Sequence, residues 1–295
     1  MKKIVRVLQS LLSHPMAKLR PFQVLYNFIR LQLIFRFKKK AIVFNWLNKT
    51  KLSVAQGEAS VTGNFYFGLH EFSEMLFLLH LLKEDDLFID VGANSGVYSI
   101  LAASLGAKVI SFEPVGNTYE RLLRNIKLNQ FENKITALNL GVANREAKLR
   151  FTLDKDCESH IEGFVNDDAQ CDGAVTTTTL DKVCADKDPS LIKIDVEGFE
   201  SLVVEGMQQC LANPTLLAVI IELGGVGERY GFDEAKIYET MRQFAMFPFR
   251  YNPLQRDLIK LENKPKANII FIRDPELVIQ RLKFSKSFSV LGVEI

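Results

Sequence analysis

Apolar residues recur along this chain at two spacings, and the switches between them mark out alternating elements. Phe22, Leu25, Tyr26, Ile29, Leu33 and Phe37 fall on one face of a helix, with Arg30 off that face. Phe72, Met75, Leu76, Leu79 and Leu82 repeat helical spacing over 71–82. Residues 87–90 then run apolar and stop at a carboxylate, as the end of a buried strand does. From Val97 the helical spacing returns through Ile100, Leu101 and Ala103 to a C-terminal glycine, Gly106. A second strand ends over 110–114. Asn117 and Glu120 then resemble a capping box for a helix with Tyr119, Leu122, Leu123 and Ile126 on one side. A third strand is predicted over 135–140. Residues 148–153 alternate like an edge or accessory strand, with Leu149, Phe151 and Leu153 on one side. Residues 154–178 are polar and weakly periodic, which reads either as a substrate lid or as a plain disordered insertion. Beyond it the pattern predicts a fourth strand over 190–198, ending in carboxylates, and a helix over 200–211, stopped at Asn213-Pro214. A fifth strand follows over 217–222, ending in an acid, then a helix over 233–247 and a last short strand over 268–272. Strand alternating with helix predicts an α/β fold, a mostly parallel sheet with helices on both faces.

The turn after the first predicted strand carries the chemistry. It reads Phe88-Ile89-Asp90-Val91-Gly92-Ala93-Asn94-Ser95-Gly96, with glycines where a side chain would obstruct the backbone or a ligand. In such a fold the ligand sits at the carboxyl ends of the strands. A dinucleotide site wants G-x-G-x-x-G, with bare amides facing pyrophosphate. Here the two glycines are four apart, Ser99 stands in place of a third, and Asp90 sits at the mouth. A carboxylate there repels phosphate and suits a ligand carrying an ammonium or sulfonium. S-adenosylmethionine carries both and has no phosphate. Glu113 ends the second strand and Pro114 holds it extended, where an acid accepts both ribose hydroxyls of an adenosine. NAD sites share that placement, so a nicotinamide oxidoreductase stands as the rival enzyme class.

Two further motifs join these: Thr179-Leu180-Asp181, and Ile192-Lys193-Ile194-Asp195-Val196-Glu197-Gly198-Phe199-Glu200. Together with Phe112-Glu113-Pro114 and the glycine turn, they make the chain resemble the FkbM-type family of S-adenosylmethionine-dependent methyltransferases. The likeness implies a class I methyltransferase (Rossmann-like) sheet of seven strands, the last antiparallel. It implies O-methylation of a hydroxyl on a sugar, glycan or natural product. It also implies cofactor contacts from Asp90, Gly92, Ala93, Asn94, Gly96, Glu113 and Pro114. It carries over no acceptor and no metal ligand. The methyltransferase domain is placed at 58–275, behind a basic helical extension at 1–57 and ahead of a C-terminal tail at 276–295.

Charge sets the extension apart. Of 37 Lys and Arg residues, twelve lie in 1–57 with no Asp or Glu beside them, leaving 25 against all 35 acids in the rest. A basic amphipathic helix either lies at an anionic membrane interface or packs on the catalytic domain. Nucleic acid is not expected, since no recognised binding module surrounds the charges. A catalytically silent domain that binds membranes or partners is the third function class. Cys157, Cys171, Cys184 and Cys210 show no C-x-x-C and no nearby histidine, so they read as reduced thiols of a cytoplasmic protein. The apolar run after Lys2-Lys3 is broken by Arg6 and His14-Pro15, against a secretory signal. No uncharged run reaches the roughly 18 residues of a spanning helix.

Methyl transfer gains most from attack geometry, and a base adds ~10²–10⁴-fold. If Asp195-Val196-Glu197 is extended, Asp195 and Glu197 share one side. These two are the catalytic candidates, as a base or, with Glu222, as ligands of a divalent metal. Alternatively Glu197 only bonds backbone amides of the turn at Gly198. His160, alone in the polar loop, is a further base candidate.

Overall fold

The computed structural model describes residues 11–37, 40–152, 160–165 and 174–295. From Pro15 the elements are α1 (Pro15–Leu19), α2 (Pro21–Phe37), the hairpin β1 (Ile42–Asn45) and β2 (Lys51–Val54), then α3 (Ala59–Phe67) and α4 (Phe72–Leu81). Proline opens both α1 and α2, where its missing N–H costs nothing. Strand and helix then alternate through β3 (Leu87–Val91), α5 (Val97–Ser104), β4 (Lys108–Phe112), α6 (Gly116–Leu128) and β5 (Ile135–Leu138). Four accessory strands follow: β6 (Gly141–Val142), β7 (Ala147–Thr152), β8 (His160–Val165) and β9 (Ala174–Thr178). The second half comprises α7 (Leu180–Val183), β10 (Pro189–Ile194), α8 (Glu200–Glu205), α9 (Gln208–Ala212), β11 (Ala218–Leu223) and α10 (Ala235–Gln243). It closes with β12 (Phe247–Asn252), β13 (Asp257–Lys260), β14 (Ala267–Ile272), α11 (Pro275–Lys283), β15 (Ser289–Val290) and β16 (Val293–Glu294).

The main sheet has the order β13-β12-β14-β11-β10-β3-β4-β5. β5, β4, β3, β10 and β11 run parallel, while β14 lies antiparallel between β11 and β12. This is the class I methyltransferase sheet, α/β and mostly parallel, with β13 added as an eighth strand on the edge. The β12–β13 hairpin is hidden in the sequence pattern because Pro248, Arg250 and Asn252 dilute the alternation of Phe247, Phe249 and Tyr251. The helix expected to reach residue 247 stops at Gln243.

Both faces of the central strands are buried, which explains their near-continuous apolar runs. Phe88, Leu191 and Ile220 join a core under α4, α5 and the N-terminal elements. Ile89, Ile192 and Ile221 join a second core with α8, α9 and α10. Side chains alternate along a strand, so Asp90 follows Phe88, Lys193 follows Leu191 and Glu222 follows Ile220 onto the first face. Three charged side chains on three adjacent strands thus converge near the strand ends.

Several expectations change. The polar stretch 154–178 is not one loop: its described parts are β8 and β9, paired with β7 in a four-stranded sheet ordered β6-β9-β7-β8. Residues 153–159 and 166–173, with Cys157 and Cys171, lie outside the described residues. The capping box at Asn117 does not form. α6 starts at Gly116 behind Val115, whose amide donates instead to Glu113 Oε1 at 2.8 Å. The extension packs on the domain, but by the face opposite to the one its spacing singles out. α2 buries Val24, Asn27 and Leu31, while Phe22, Leu25, Tyr26, Ile29, Leu33 and Phe37 stay exposed. A second stripe, Val24, Phe28, Leu31 and Phe35, makes the packing contacts. At the other end, Val278, Leu282, Phe288, Val290 and Ile295 enter the first core.

Candidate active site

A cavity of about 370 Å³ opens at the carboxyl ends of β3 and β10, where the strand order reverses. Asp90, Gly92, Ala93, Asn94, Glu113, Pro114, Asp195 and Glu197 all line it. Gly96 does not. It sits at φ 82° ahead of α5, and a Cβ there would meet Leu122 Cδ1 at 2.4 Å, so this glycine serves helix packing.

The turn between β3 and α5 spends every one of its amides on protein acceptors. Gly92 and Ala93 donate to the Phe112 carbonyl at 3.0 and 2.9 Å. Asn94 N donates to Glu113 Oε2 at 2.9 Å, Ser95 N to Asn94 Oδ1 at 2.7 Å, and Gly96 N to the Ala93 carbonyl at 2.8 Å. A phosphate cradle needs such amides bare. This turn offers carboxylates instead. Glu113 is buried, and burial pushes its carboxyl up to about 7 against the amides of Val115 and Asn94. Asp90 accepts from Ser99 Oγ at 2.5 Å, and Ser99 is itself 2.7 Å from Ser111 Oγ. Burial raises Asp90 to about 6, offset by the Lys193 ammonium and the Ser99 bond.

Lys193 organises the other half of the cavity. Its side chain is almost fully buried, with Nζ 2.7 Å from Asp195 Oδ2 and 4.7 Å from the centre of the Tyr98 ring. Burial disfavours the ammonium, but Asp195, Glu71 and Asp90 around it more than compensate and hold it charged. For Asp195, burial works upward, yet Lys193 and a hydrogen bond from Glu222 pull the carboxyl below its ordinary value. Glu222 is raised to about 9 by that same bond and the Asp195 charge, so it keeps its proton and donates it. The two acids behave as one pair with one shared proton.

The expected extended run at Asp195-Val196-Glu197 is absent. β10 ends at Ile194, and Glu197 lies in the turn at φ 54° with its side chain exposed at the cavity. The bracing imagined for Glu197 is performed by Glu200, whose buried Oε1 accepts from Val196 N at 3.2 Å and Gly198 N at 3.0 Å. Burial raises that carboxyl to about 7. Thr179 and Asp181 are also architectural: Thr179 caps α7, and Asp181 Oδ1 accepts from Gln209 N and Cys210 N at the start of α9. His160 lies in β8, paired opposite Thr152.

Sequence reasoning missed Lys193, Tyr98 and a group from α3 and α4: Ser60, Asn64, Glu71 and Met75, with His70 between the helices. Lys193 did carry a signal, a lone charge inside an apolar strand. The α3 residues carried none, since their elements precede the turn and reach the cavity only through tertiary packing. Ser60 Oγ donates to Asn94 Oδ1 at 3.2 Å, closing α3 over the turn. Among the described residues, no three His, Cys, Asp or Glu side chains are grouped to hold a metal ion.

Residues 90–246 match a family model described as the methyltransferase FkbM domain. The hexuronic acid methyltransferase AglP of Haloferax volcanii is 28% identical over 152 residues, which are 50% of this chain and 60% of that protein. A ribosomal protein L11 methyltransferase of Ruminiclostridium cellulolyticum is 32% identical over 87 residues, 28% of either chain. The chain therefore spans less than two thirds of the length of each of these relatives. A precorrin-6y C5,15-methyltransferase from Geobacter metallireducens superposes with a TM-score of 0.40 at 12% identity, over 69% of this chain and 88% of that one.

Proposed function

The chain belongs to the FkbM methyltransferase family, and on that footing we propose that it is an S-adenosylmethionine-dependent methyltransferase acting on a hydroxyl of a sugar, glycan or natural product. The observation that carries the cofactor assignment is the turn at 92–96, whose five amides are all spent on protein acceptors, with Asp90 and Glu113 beside it. A pyrophosphate would meet carboxylates there and no bare donor. An adenosine with a cationic tail meets acceptors for its ribose hydroxyls and a complementary charge.

When bound, S-adenosylmethionine supplies a methyl group made electrophilic by a sulfonium. The residues around it hold and orient. Glu113 accepts the ribose hydroxyls on the lone pairs that Asn94 N and Val115 N leave open. Asp195 accepts the hydrogen bond of the acceptor hydroxyl and fixes the attacking oxygen. Because Lys193 and Glu222 hold its carboxyl low, Asp195 serves better as a positioner than as a strong base. A weak base suffices when the proton leaves late, from an oxygen already bonding to carbon.

The acceptor side is acidic. Glu71, Asp195 and Glu197, with the protonated and uncharged Glu222, line the cavity around the ammonium of Lys193, itself paired with Asp195. That balance favours an uncharged hydroxyl compound over a carboxylate-bearing sugar, unlike the substrate named for the Haloferax relative. The test is product mass spectrometry after incubating the protein with S-adenosylmethionine and a panel of neutral and acidic glycans. Methylated product that requires Asp195 supports the assignment. Transfer to amines or carbon, and to no hydroxyl in the panel, contradicts it.

A further inference from the structure

No residue of α2 lines the cavity. Successive helix positions turn by about 100°, which gathers Phe22, Leu25, Tyr26, Ile29, Leu33 and Phe37 within an arc of about 120° along roughly 22 Å, with Arg36 inside the same arc near its C-terminal end. All six are exposed, Phe22 at 86% and Phe37 at 79% of their full surface. Single exposed apolar residues are ordinary, but a continuous stripe of six with three aromatic rings is not. The helix cannot rotate to hide them. Its other face is pinned by buried Val24 and Leu31, and by Asn27 Nδ2 donating to the Tyr66 carbonyl at 3.2 Å. Lys18, Arg20, Arg30, Arg36 and Lys40 are exposed on and around this segment, and residues 1–57 contain no acid at all.

We propose that α2 lies in the interface of an anionic membrane, with the Phe22–Phe37 stripe among the acyl chains and Arg30 and Arg36 against lipid phosphates. Charge selects this occupant. A second copy meeting the same face in a two-fold dimer would bring one acid-free basic segment against another. A nucleic acid would satisfy the arginines but leave Ile29 and Leu33 in water. No described helix is long and apolar enough to cross a membrane, so the contact is peripheral. Because α2 rests on α3, which brings Ser60 and Asn64 to the cavity, docking would also fix how the active site faces the lipid surface.

The test is flotation of the full chain with vesicles of mixed phosphatidylglycerol and phosphatidylcholine. The wild type should float at about 0.1 M salt, and at least about tenfold less should float at about 0.5 M salt or with pure phosphatidylcholine. The Phe22→Ser/Phe37→Ser double variant, altered only at exposed positions, should lose flotation about tenfold while keeping its melting temperature and S-adenosylhomocysteine binding. Absence of wild-type flotation, equal flotation with neutral vesicles, or full flotation of the double variant would each overturn the proposal. So would a wild-type dimer in solution that the double variant abolishes without any vesicle binding, which would make the occupant a second copy.

Discussion

A Cβ built on Gly92 would lie 1.8 Å from the backbone oxygen of Asp195. The cofactor turn after β3 and the end of β10 are therefore pressed backbone to backbone, tied also by Asp195 N donating to the Val91 carbonyl at 3.0 Å. Gly92 holds φ 81°, which any other residue adopts only at a cost of about 1–2 kcal/mol, before the collision is counted. Gly92→Ala should lower the melting temperature and weaken S-adenosylhomocysteine binding together, because one displacement disturbs both halves of the site. Thermal denaturation with and without ligand checks this. A variant that melts and binds like the wild type would show that the two segments are not so joined.

Glu113 links cofactor binding to pH. Its carboxyl and that of Glu200 stand at about 7 by burial, against ordinary values of 4.5. Between those values the folded chain binds more protons than the unfolded one, so these groups make stability fall as pH climbs from about 4.5 through about 7. Denaturant unfolding across that range measures it. Ribose hydroxyls donate to the ionised form of Glu113, so cofactor affinity should rise with pH through about 7. Glu113→Gln should flatten that dependence in calorimetry and weaken binding by about 1–3 kcal/mol.

Asp195→Asn should leave folding and most cofactor affinity intact while lowering turnover by about tenfold or more, through loss of the acceptor-orienting bond. Single-turnover kinetics with a true acceptor checks this. Wild-type turnover in the variant would remove Asp195 from the mechanism.

Lys193→Met should move the pH profile rather than the cofactor affinity alone. Burial pushes Asp195 upward, and Lys193 is the first force pulling it back. Without the ammonium, burial acts with less opposition, so the acid limb of the pH–rate profile should shift to higher pH. An unmoved limb would place the titrating group elsewhere.

Much of this site is legible in the sequence because the physics is local. A strand ending in Asp90, a turn at Gly92 and an acid held by Pro114 declare themselves within short stretches, and all line the cavity. Lys193 and Glu222 were visible as charges on apolar strands, yet their pairing with Asp195 depends on the register of β3, β10 and β11. Glu197 and Glu200 illustrate the limit. Periodicity cannot show that the strand stops at Ile194, so it gives Glu197 the orientation of an extended residue and overlooks the brace at Glu200, three residues later. α2 shows another: two apolar stripes share one helix, and spacing alone does not say which one meets the core.

The most direct measurement is calorimetric titration of the purified chain with S-adenosylhomocysteine and, separately, with NADH. Saturable one-to-one binding of S-adenosylhomocysteine, weakened by Glu113→Gln, with no heat from NADH, is the predicted result. Saturable NADH binding with none for S-adenosylhomocysteine or S-adenosylmethionine would contradict the cofactor assignment and the function built on it.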